Sequence, residues 1–198
     1  AIVVVSVDKE ELFRIPVMNI EGIVTFGYMG ASPGLMKLCM DNNISLVFMS
    51  PQGRFIGRVQ GATKGNVLLR KKQYTLSEDE NMALHLGKLF IGGKVLNSRN
   101  ILQRFIRDNG ATEEVEYAVK QLDWSKKCIL QADCIDLLRG EEGRAANIYF
   151  GVFDHLILHQ KTDFMFNGRT RRPPKDEVNT MLSFVYTLIA NDVAAALE

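Results

Sequence analysis

Glu142 is the acidic residue whose surroundings best suit chemistry. It lies in the segment GEEGRAA at 140–146, whose glycines and alanines allow another backbone to approach closely. Ala146, Tyr149 and Phe153 follow it at i+4, i+7 and i+11, so one helical stripe would present a carboxylate and a phenol to the same neighbour. A glutamate in a first helical turn can also simply complement the helix dipole. The spacing leaves both roles open for Glu142.

A row of polar residues runs along the last predicted helix, which otherwise has a broad apolar face. Asn179, Ser183 and Tyr186 are spaced i, i+4 and i+7. Polar groups amid so much apolar surface either satisfy one another in the core or line a site. The sequence leaves these alternatives equally open.

Four cations lie within seven residues of a predicted loop: Arg169, Arg171, Arg172 and Lys175. Guanidinium groups match phosphate oxygens in a bidentate way, so such a loop beside a carboxylate-bound metal would position a nucleic-acid backbone. The alternative is a solvated linker.

A second set of possible ligands is His155 and His159, spaced i, i+4, with Asp154 and Asp163 nearby. This spacing is compatible with a transition metal, or with helix-end histidines that complement the dipole. On a continuous helix, 13 residues at about 1.5 Å each put His155 about 20 Å from Glu142. The two could not then share one ion.

Composition indicates a folded globular protein. The 198 residues are 46% hydrophobic and 24% charged, and the net charge of +1 excludes a histone-like excess of basic residues. Residues 1–76 carry nine basic and five acidic side chains (+4), and 77–198 carry fifteen and eighteen (−3). Any nucleic-acid surface is therefore expected to be a local patch.

Three cysteines, Cys39, Cys128 and Cys134, form no C-x-x-C pair and no even disulfide set, which favours a reducing, cytoplasmic compartment. The longest uncharged stretch, 178–191, has the length of a buried helix, so no membrane segment is predicted. The chain starts without methionine inside an apolar run and is interpreted as a fragment.

The elements that must position these residues fall into two groups. Short β-branched runs separated by turn residues predict a β-rich domain over 1–76, with strands at 2–7, 12–15, 20–26, 44–49 and 55–59. One helix interrupts them, with Ser32 as its N-cap, Pro33 at its first position and 41–43 at its end.

From residue 77 the apolar period becomes helical. A capping box at 77–80 predicts a helix that ends at Asn109-Gly110. Further helices are expected over 112–138, with a break near Trp124, then after Gly140, and over 176–197. The predicted class is α+β: a β-rich domain over 1–76 and an all-α domain over 77–198.

The sequence resembles the CRISPR-associated integrase and endonuclease of the spacer-acquisition complex, most closely its type I-C members. The resemblance covers nearly the whole chain. It is carried by FRIP and NIEGIV at 13–16 and 19–24, Ser32-Pro33, and GR and GRV at 53–54 and 57–59. The most specific matches are RGEEGRAANIYF, FNGRTRRPP and VNTMLSFVY at 139–150, 166–174 and 178–186.

The resemblance implies a β domain that forms much of a homodimer, a helical domain with the active site, and a small ferredoxin-like partner subunit. It implies joining of prespacer DNA to a repeat array in antiviral defence, with Mg²⁺ or Mn²⁺ held by a glutamate, a histidine and an aspartate. The glutamate matches Glu142. Tyr149, Asn179, Ser183 and Tyr186 then become the wall of the site, and the arginine loop becomes a contact to DNA phosphate.

The family's histidine and aspartate are expected beyond Glu198, and neither His155 nor His159 matches them. One carboxylate supplies too few ligands to hold the ion firmly, so residues 1–198 alone are expected to be inactive. The alternative function is a catalytically inactive DNA-binding or assembly module of the same fold.

Overall fold

The computed structural model describes residues 1–62 and 67–197. The chain divides into two compact units, one comprising Ala1–Gly65 with Ser183–Glu198 and the other Asn66–Leu182. We call them the strand unit and the helical unit. Small sheets followed by helices confirm the predicted α+β class.

The strand unit begins with a hairpin. β1 (Ile2–Val7) pairs antiparallel with β2 (Glu10–Pro16), with Ile2 opposite Pro16 and a register shift after Val5. Asp8 and Lys9 form the turn with φ of 50° and 73°, the left-handed backbone that two-residue hairpin turns require. The turn residues Asp8, Lys9 and Glu10 between the first two β-branched runs predict this hairpin, and the structure confirms it.

A second sheet has the order β3-β4-β5, comprising Gly22–Phe26, Ser45–Met49 and Phe55–Val59. β3 and β4 are parallel and are joined through α1 (Pro33–Asp41), whereas β5 returns antiparallel through a turn. Ser32 caps α1, its hydroxyl accepting from the Leu35 N–H at 3.2 Å, as the sequence predicted.

The core of the strand unit lies between α1 and β4. Cys39, Ile44 and Leu46 are buried there. Burial raises the pKa of the Cys39 thiol above its ordinary value, because it disfavours the thiolate. Cys39 is therefore a packing residue.

The helical unit starts earlier than the sequence predicted. α2 (Val67–Glu78) precedes α3 (Glu80–Asn109), and α3 is capped by Asp79, which accepts from the Asn81 and Met82 N–H groups, instead of by Ser77. No residue of α2 is buried, so its sequence has no helical pattern of apolar residues from which the helix could be predicted.

The next two helices also have different bounds from those predicted. α4 (Glu113–Gln131) passes through Trp124 without a break, and α5 (Ile135–Gly151) begins after the gap at 132–134. The predicted continuation of one helix to 138 is therefore wrong. A short 3-10 turn (Phe153–Leu156) follows α5, and α6 (Glu177–Leu197) closes the described chain.

The core of the helical unit is formed by α3, α4 and α5. Its largest fully buried side chains are those of Leu102, Val115, Leu122 and Ile129. α3 and α5 approach closely at Gly87, where a Cβ would lie 2.8 Å from the Leu138 Cδ2 atom. This packing fixes the positions of α3 and α5 relative to each other.

Within the described ranges, no helix is both long and apolar enough to span a membrane.

Candidate active site

Glu142 lies in the middle of α5, as its eighth residue. The role of a first-turn charge that complements the helix dipole is therefore excluded, because α5 starts at Ile135 and not after Gly140. The Glu142 side chain is 37% exposed, and its Oε1 atom accepts a hydrogen bond from the Lys94 Nζ atom of α3 at 2.6 Å. A carboxylate is thus held at the surface between two packed helices.

Glycines lie close in sequence to both Glu142 and Lys94. At Gly140 and Gly143, a Cβ would meet nothing within 4 Å, and the same holds for Gly92 and Gly93 on α3. The adjacent acid, Glu141, has its own partner, since the Arg144 guanidinium lies 3.0 Å from it. The backbone of α3 and of α5 is therefore left uncovered at these glycines.

Tyr149 lies on α5 with Glu142, whereas Phe153 lies past the end of α5 in the 3-10 turn, so the predicted helical stripe ends before Phe153. Both residues belong to a group of aromatic rings. The Tyr149 and Phe153 ring centroids are 5.7 Å apart in an edge-on arrangement, and Phe153 lies 4.9 Å from Phe166. Aromatic pairs at these distances are stabilising. The rings therefore link the end of α5 to the loop that carries the arginines.

Asn179 is fully buried and organises that loop. Its Oδ1 atom accepts from the Arg169 guanidinium at 2.8 Å and from the Thr170 N–H at 2.9 Å. Its Nδ2 atom donates to the Gly168 carbonyl at 2.8 Å and to the Asp176 carboxylate at 2.6 Å. The sequence left open whether Asn179 is a satisfied core residue or part of a site. Its hydrogen bonds are satisfied within the protein, and through them it also shapes the candidate binding loop.

The four predicted cations of the loop differ in exposure. Arg169 is half-buried against Asn179, whereas Arg171, Arg172 and Lys175 are exposed. The Lys175 N–H donates to the Thr170 hydroxyl at 3.0 Å, which closes the loop. Three of the four cations are thus available at the surface, and Arg169 is used to build the loop.

The remaining predicted site residues, Ser183 and Tyr186, belong to the strand unit. Ser183 is half-buried and its carbonyl accepts from the Thr187 hydroxyl at 2.8 Å, whereas Tyr186 is exposed. The polar row on α6 therefore changes from buried at Asn179 to exposed at Tyr186.

The histidine pair does not extend a helix from Glu142, because α5 ends at Gly151. Asp154 accepts from the Lys161 ammonium at 3.0 Å and from the Phe166 N–H at 3.1 Å. The hydrogen bond from Lys161 is the main cause that lowers the pKa of Asp154 below its ordinary value. His159 and Asp163 are exposed. Asp154 thus holds the segment from Lys161 to Phe166 against the 3-10 turn through these two hydrogen bonds.

A divalent metal prefers oxygen ligands, and the Glu142 carboxylate is a suitable donor. One carboxylate is too few, however, and its Oε1 atom is already engaged by Lys94. Across residues 1–62 and 67–197, no group of three or more histidine, cysteine, aspartate or glutamate side chains could hold a metal ion. The described residues do not form a complete metal site.

Sequence reasoning missed two residues, Lys94 and Asp176. Lys94 contacts Glu142 although the two residues are 48 positions apart in the sequence. The one sequence signal near Lys94 is the pair Gly92-Gly93 before it, which is unusual inside a helix. Asp176 precedes α6 and accepts from the Asn179 N–H at 2.7 Å, a capping pattern that an aspartate before an apolar helix could have indicated.

Known proteins resemble this chain along its whole length. The sequence model of the family described as CRISPR associated protein Cas1 matches residues 1–198. CRISPR-associated endonuclease Cas1 1 of Chlorobaculum tepidum is 40% identical over 199 residues, and CRISPR-associated endonuclease Cas1 2 of Rhodospirillum rubrum is 41% identical over 202. The alignments cover 99% and 98% of this chain and 58% of each relative, so the chain spans little more than half the length of these relatives.

Three solved structures share the fold. A CAS1 protein from Thermotoga maritima superimposes with a TM-score of 0.74 at 22% identity, over 97% of this chain and 58% of that one. A chain of a Cas6-RT-Cas1–Cas2 complex gives 0.71 at 20% identity, over 97% and 21%. A casposase bound to integration product gives 0.71 at 18% identity, over 93% and 51%.

Proposed function

The chain belongs to the Cas1 family of CRISPR-associated proteins, and from this membership we propose that the full-length protein is a DNA endonuclease and integrase that inserts prespacer DNA into a CRISPR array. The names of the relatives that are about 40% identical support the nuclease activity. The casposase, which was solved with an integration product, supports strand joining as the reaction that this fold can carry.

The observation that carries the proposal is the placement of Glu142. A partly exposed carboxylate lies in the middle of a packed helix and in the same unit as a loop with three exposed cations. A partly exposed carboxylate can meet a ligand from solvent without the free-energy cost of burying its charge.

In the proposed reaction, a DNA 3′-hydroxyl attacks a phosphodiester. A new bond forms between its oxygen and the phosphorus, the bond to the departing 3′ oxygen breaks, and the attacking hydroxyl loses its proton as the leaving oxygen gains one. Arg171, Arg172 and Lys175 hold the DNA backbone by its phosphates, which fixes register without selecting sequence. Tyr149, in the same unit as Glu142, is proposed to line the site. The roles of Ser183 and Tyr186 stay predictions from the sequence.

We also propose that the reaction depends on Mg²⁺ or Mn²⁺ and that Glu142 supplies one ligand. That the other ligands lie beyond Glu198 stays a prediction from the family resemblance; residues 1–62 and 67–197 offer no complete set. The proposed partners are double-stranded DNA, a second copy of the chain, and a small ferredoxin-like subunit. The structural neighbour in a Cas1–Cas2 assembly supports an adaptation partner. Assignment to type I-C remains a prediction from sequence motifs.

The test is Glu142→Gln in the full-length protein, with Glu141→Gln as the matched control. Both variants remove one negative charge from the same turn of α5, but Glu141 pairs with Arg144 of its own helix, whereas Glu142 pairs with Lys94 of α3. We expect Glu142→Gln to reduce Mn²⁺-dependent joining of a labelled prespacer by about 100-fold or more, with DNA binding unchanged. Glu141→Gln should stay within a few-fold of wild type.

The second candidate function is an inactive DNA-binding or assembly module, and the engagement of Glu142 by Lys94 favours it. The same assay separates the two functions. If wild-type protein binds DNA without joining it, or joins it equally well without the Glu142 carboxylate, the proposed catalytic role is wrong.

A further inference from the structure

Aromatic and basic residues alternate along one side of α4. Tyr117, Lys120, Trp124 and Lys127 are spaced i, i+3, i+7 and i+10. At about 100° per residue, these positions lie within about 80° of one another around the helix, and at about 1.5 Å per residue they extend over about 15 Å. We call these four residues the α4 ridge.

The α4 ridge is the solvent side of its helix. Val115, Leu122 and Ile129, on the opposite side of α4, are fully buried in the core of the helical unit. In contrast, Tyr117 is 64% exposed and Trp124 is 58% exposed. Both ridge lysines are exposed as well. The packing that holds α4 in place therefore does not use the ridge.

The two aromatic rings of the ridge differ from the ring group at the end of α5. There, Tyr149 and Phe166 each contact Phe153, with ring centroids 5.7 Å and 4.9 Å apart. In the part of the chain that the structure describes, Tyr117 and Trp124 have no ring contact, and neither the phenol nor the indole N–H has a hydrogen-bond partner. Exposed tyrosine and tryptophan side chains of this kind are enriched where proteins bind other molecules.

The two ridge lysines have no ion-pair partner among residues 1–62 and 67–197. Lys120 lies four residues after Glu116, a spacing at which opposite charges on a helix can pair, but these two do not. Asp123 is the one acid between Lys120 and Lys127, and it is engaged by Arg99 of α3 at 2.7 Å. The ridge therefore carries positive charge that is available to an anion.

We propose that the α4 ridge binds single-stranded DNA, with unpaired bases stacked on Tyr117 and Trp124 and phosphates held by Lys120 and Lys127. Proteins that bind single strands without sequence preference combine exposed rings with cations in this way, because every base has a π face and every nucleotide carries a phosphate. The bases of a duplex are already stacked on one another, so the rings favour a single strand. The choice of DNA rests on the proposed function, whereas the ridge itself is a contact surface additional to the arginine loop.

Acidic residues define one end of this surface. Glu113 and Glu116 lie in the first turn of α4, next to Tyr117, and complement the dipole at the start of the helix. Their charges would repel a phosphate placed beyond Tyr117. The bound strand is therefore expected to extend from Tyr117 towards Lys127 and not past the start of α4.

The experiment measures binding of a fluorescein-labelled oligothymidylate, and of a labelled duplex, to the full-length protein by fluorescence anisotropy with EDTA present. Trp124→Leu removes the π face but keeps an apolar side chain, whereas Trp124→Phe keeps a ring. Lys120→Gln and Lys127→Gln each remove one ridge charge. Lys126→Gln is the matched control, because Lys126 is an exposed lysine next to Lys127 in sequence but lies on the opposite side of α4 from Trp124.

Trp124→Leu is expected to weaken oligothymidylate binding by about 5- to 150-fold, the range for the loss of one stacked base. Trp124→Phe should stay within a few-fold of wild type. Lys120→Gln and Lys127→Gln should each lower the slope of log affinity against log salt by about 0.7, the contribution of one phosphate contact on a single strand. Lys126→Gln should leave that slope unchanged, and all of these variants should bind the duplex as wild type does.

Oligothymidylate binding by Trp124→Leu that equals wild type would overturn the inference. A lower melting temperature or a changed oligomeric state of that variant, with binding unchanged, would assign the ridge to a protein contact instead. If Trp124→Leu does not fold, the lysine variants decide, since unchanged salt slopes in both exclude phosphate contacts on the ridge. The proposed function fails separately: strand joining that survives Glu142→Gln contradicts the catalytic role of Glu142 and leaves ridge binding, measured without metal, unaffected.

Discussion

The side-chain oxygen of Asn179 accepts a hydrogen bond from the Arg169 guanidinium at 2.8 Å, and Asn179 has no exposed surface. Arg169 is ten residues earlier in the chain, at the start of the basic loop. One buried amide therefore holds the base of a loop whose other cations are exposed. This relationship separates the residues that build the loop from those that are free to bind.

The first prediction concerns Asn179. Asn179→Ala should lower the free energy of unfolding by about 3 kcal/mol, because it leaves the Gly168 carbonyl and the Thr170 N–H without their partner. Chemical denaturation measures the change, and limited proteolysis of 167–176 should show a loosened loop. Asn191→Ala is the control, since Asn191 donates one hydrogen bond to the Thr187 carbonyl on the same helix. Equal losses in the two variants would contradict a special role for Asn179.

The second prediction concerns the exposed arginines. Arg171→Ala with Arg172→Ala should weaken DNA binding across sequences and lower the slope of log affinity against log salt by up to about 1.8, because each duplex phosphate contact contributes about 0.9. If Arg169 also reached phosphate, a triple variant would lower the slope by up to about 2.7. Its bond to Asn179 predicts that Arg169→Ala acts mainly on stability.

Binding titrations of the full-length protein at several salt concentrations test this expectation. A matched double variant, Arg104→Ala with Arg107→Ala, removes the same charge from the exposed end of α3. Its salt slope should equal that of wild type. An Arg171/Arg172 variant with an unchanged slope would return the loop to the solvated-linker interpretation.

The third prediction is a pH dependence. The pKa of Asp154 is lowered in the folded state, so its ionised form stabilises the fold above the ordinary value of about 3.9, and this stability is lost as the pH falls through the lowered pKa. Urea denaturation of wild type at pH values from 6 to 3 should show that the free energy of unfolding decreases as the pH falls. Asp154→Asn should be less stable at pH 6 and should lose less on acidification.

The control for this measurement is Asp163→Asn, because Asp163 is exposed in the same loop. It should follow the wild-type pH profile. An Asp154→Asn profile parallel to that of wild type would show that the contacts with Lys161 and Phe166 do not carry the effect.

The fourth prediction concerns self-association through the β1–β2 hairpin. Its two strands pair only with each other among the described residues, and apolar side chains such as Leu12 (62% exposed) and Phe13 (50% exposed) lie at its surface. A two-stranded sheet is marginal alone and gains from a partner. We expect wild type to be a dimer by light scattering and Leu12→Glu to shift it towards monomer.

Phe90→Glu provides the comparison, since Phe90 is equally apolar and 72% exposed on α3. It should remain dimeric. A Leu12→Glu protein that is as dimeric as wild type would place the interface elsewhere.

The sequence by itself determined the class of every described strand and α-helix except α2, and it identified the candidate site residues. Turn residues fixed the hairpin at Asp8-Lys9 and the start of α1 at Ser32-Pro33, because these conformations depend on the local backbone. The helical stripe from Glu142 and the basic loop at 169–175 were visible because charge and spacing are properties of the chain. The family followed from motifs, and the match over residues 1–198 confirmed it.

Only the tertiary structure decided what each side chain does. The start of α5 at Ile135 moved Glu142 from a supposed helix end to the middle of a helix, and packing of α3 on α5 supplied Lys94 as its partner. Within the same basic loop, the fold places Arg169 against the buried Asn179 side-chain oxygen and leaves Arg171 and Arg172 exposed. These outcomes depend on contacts between residues far apart in the chain, and periodicity within one segment carries no information about them.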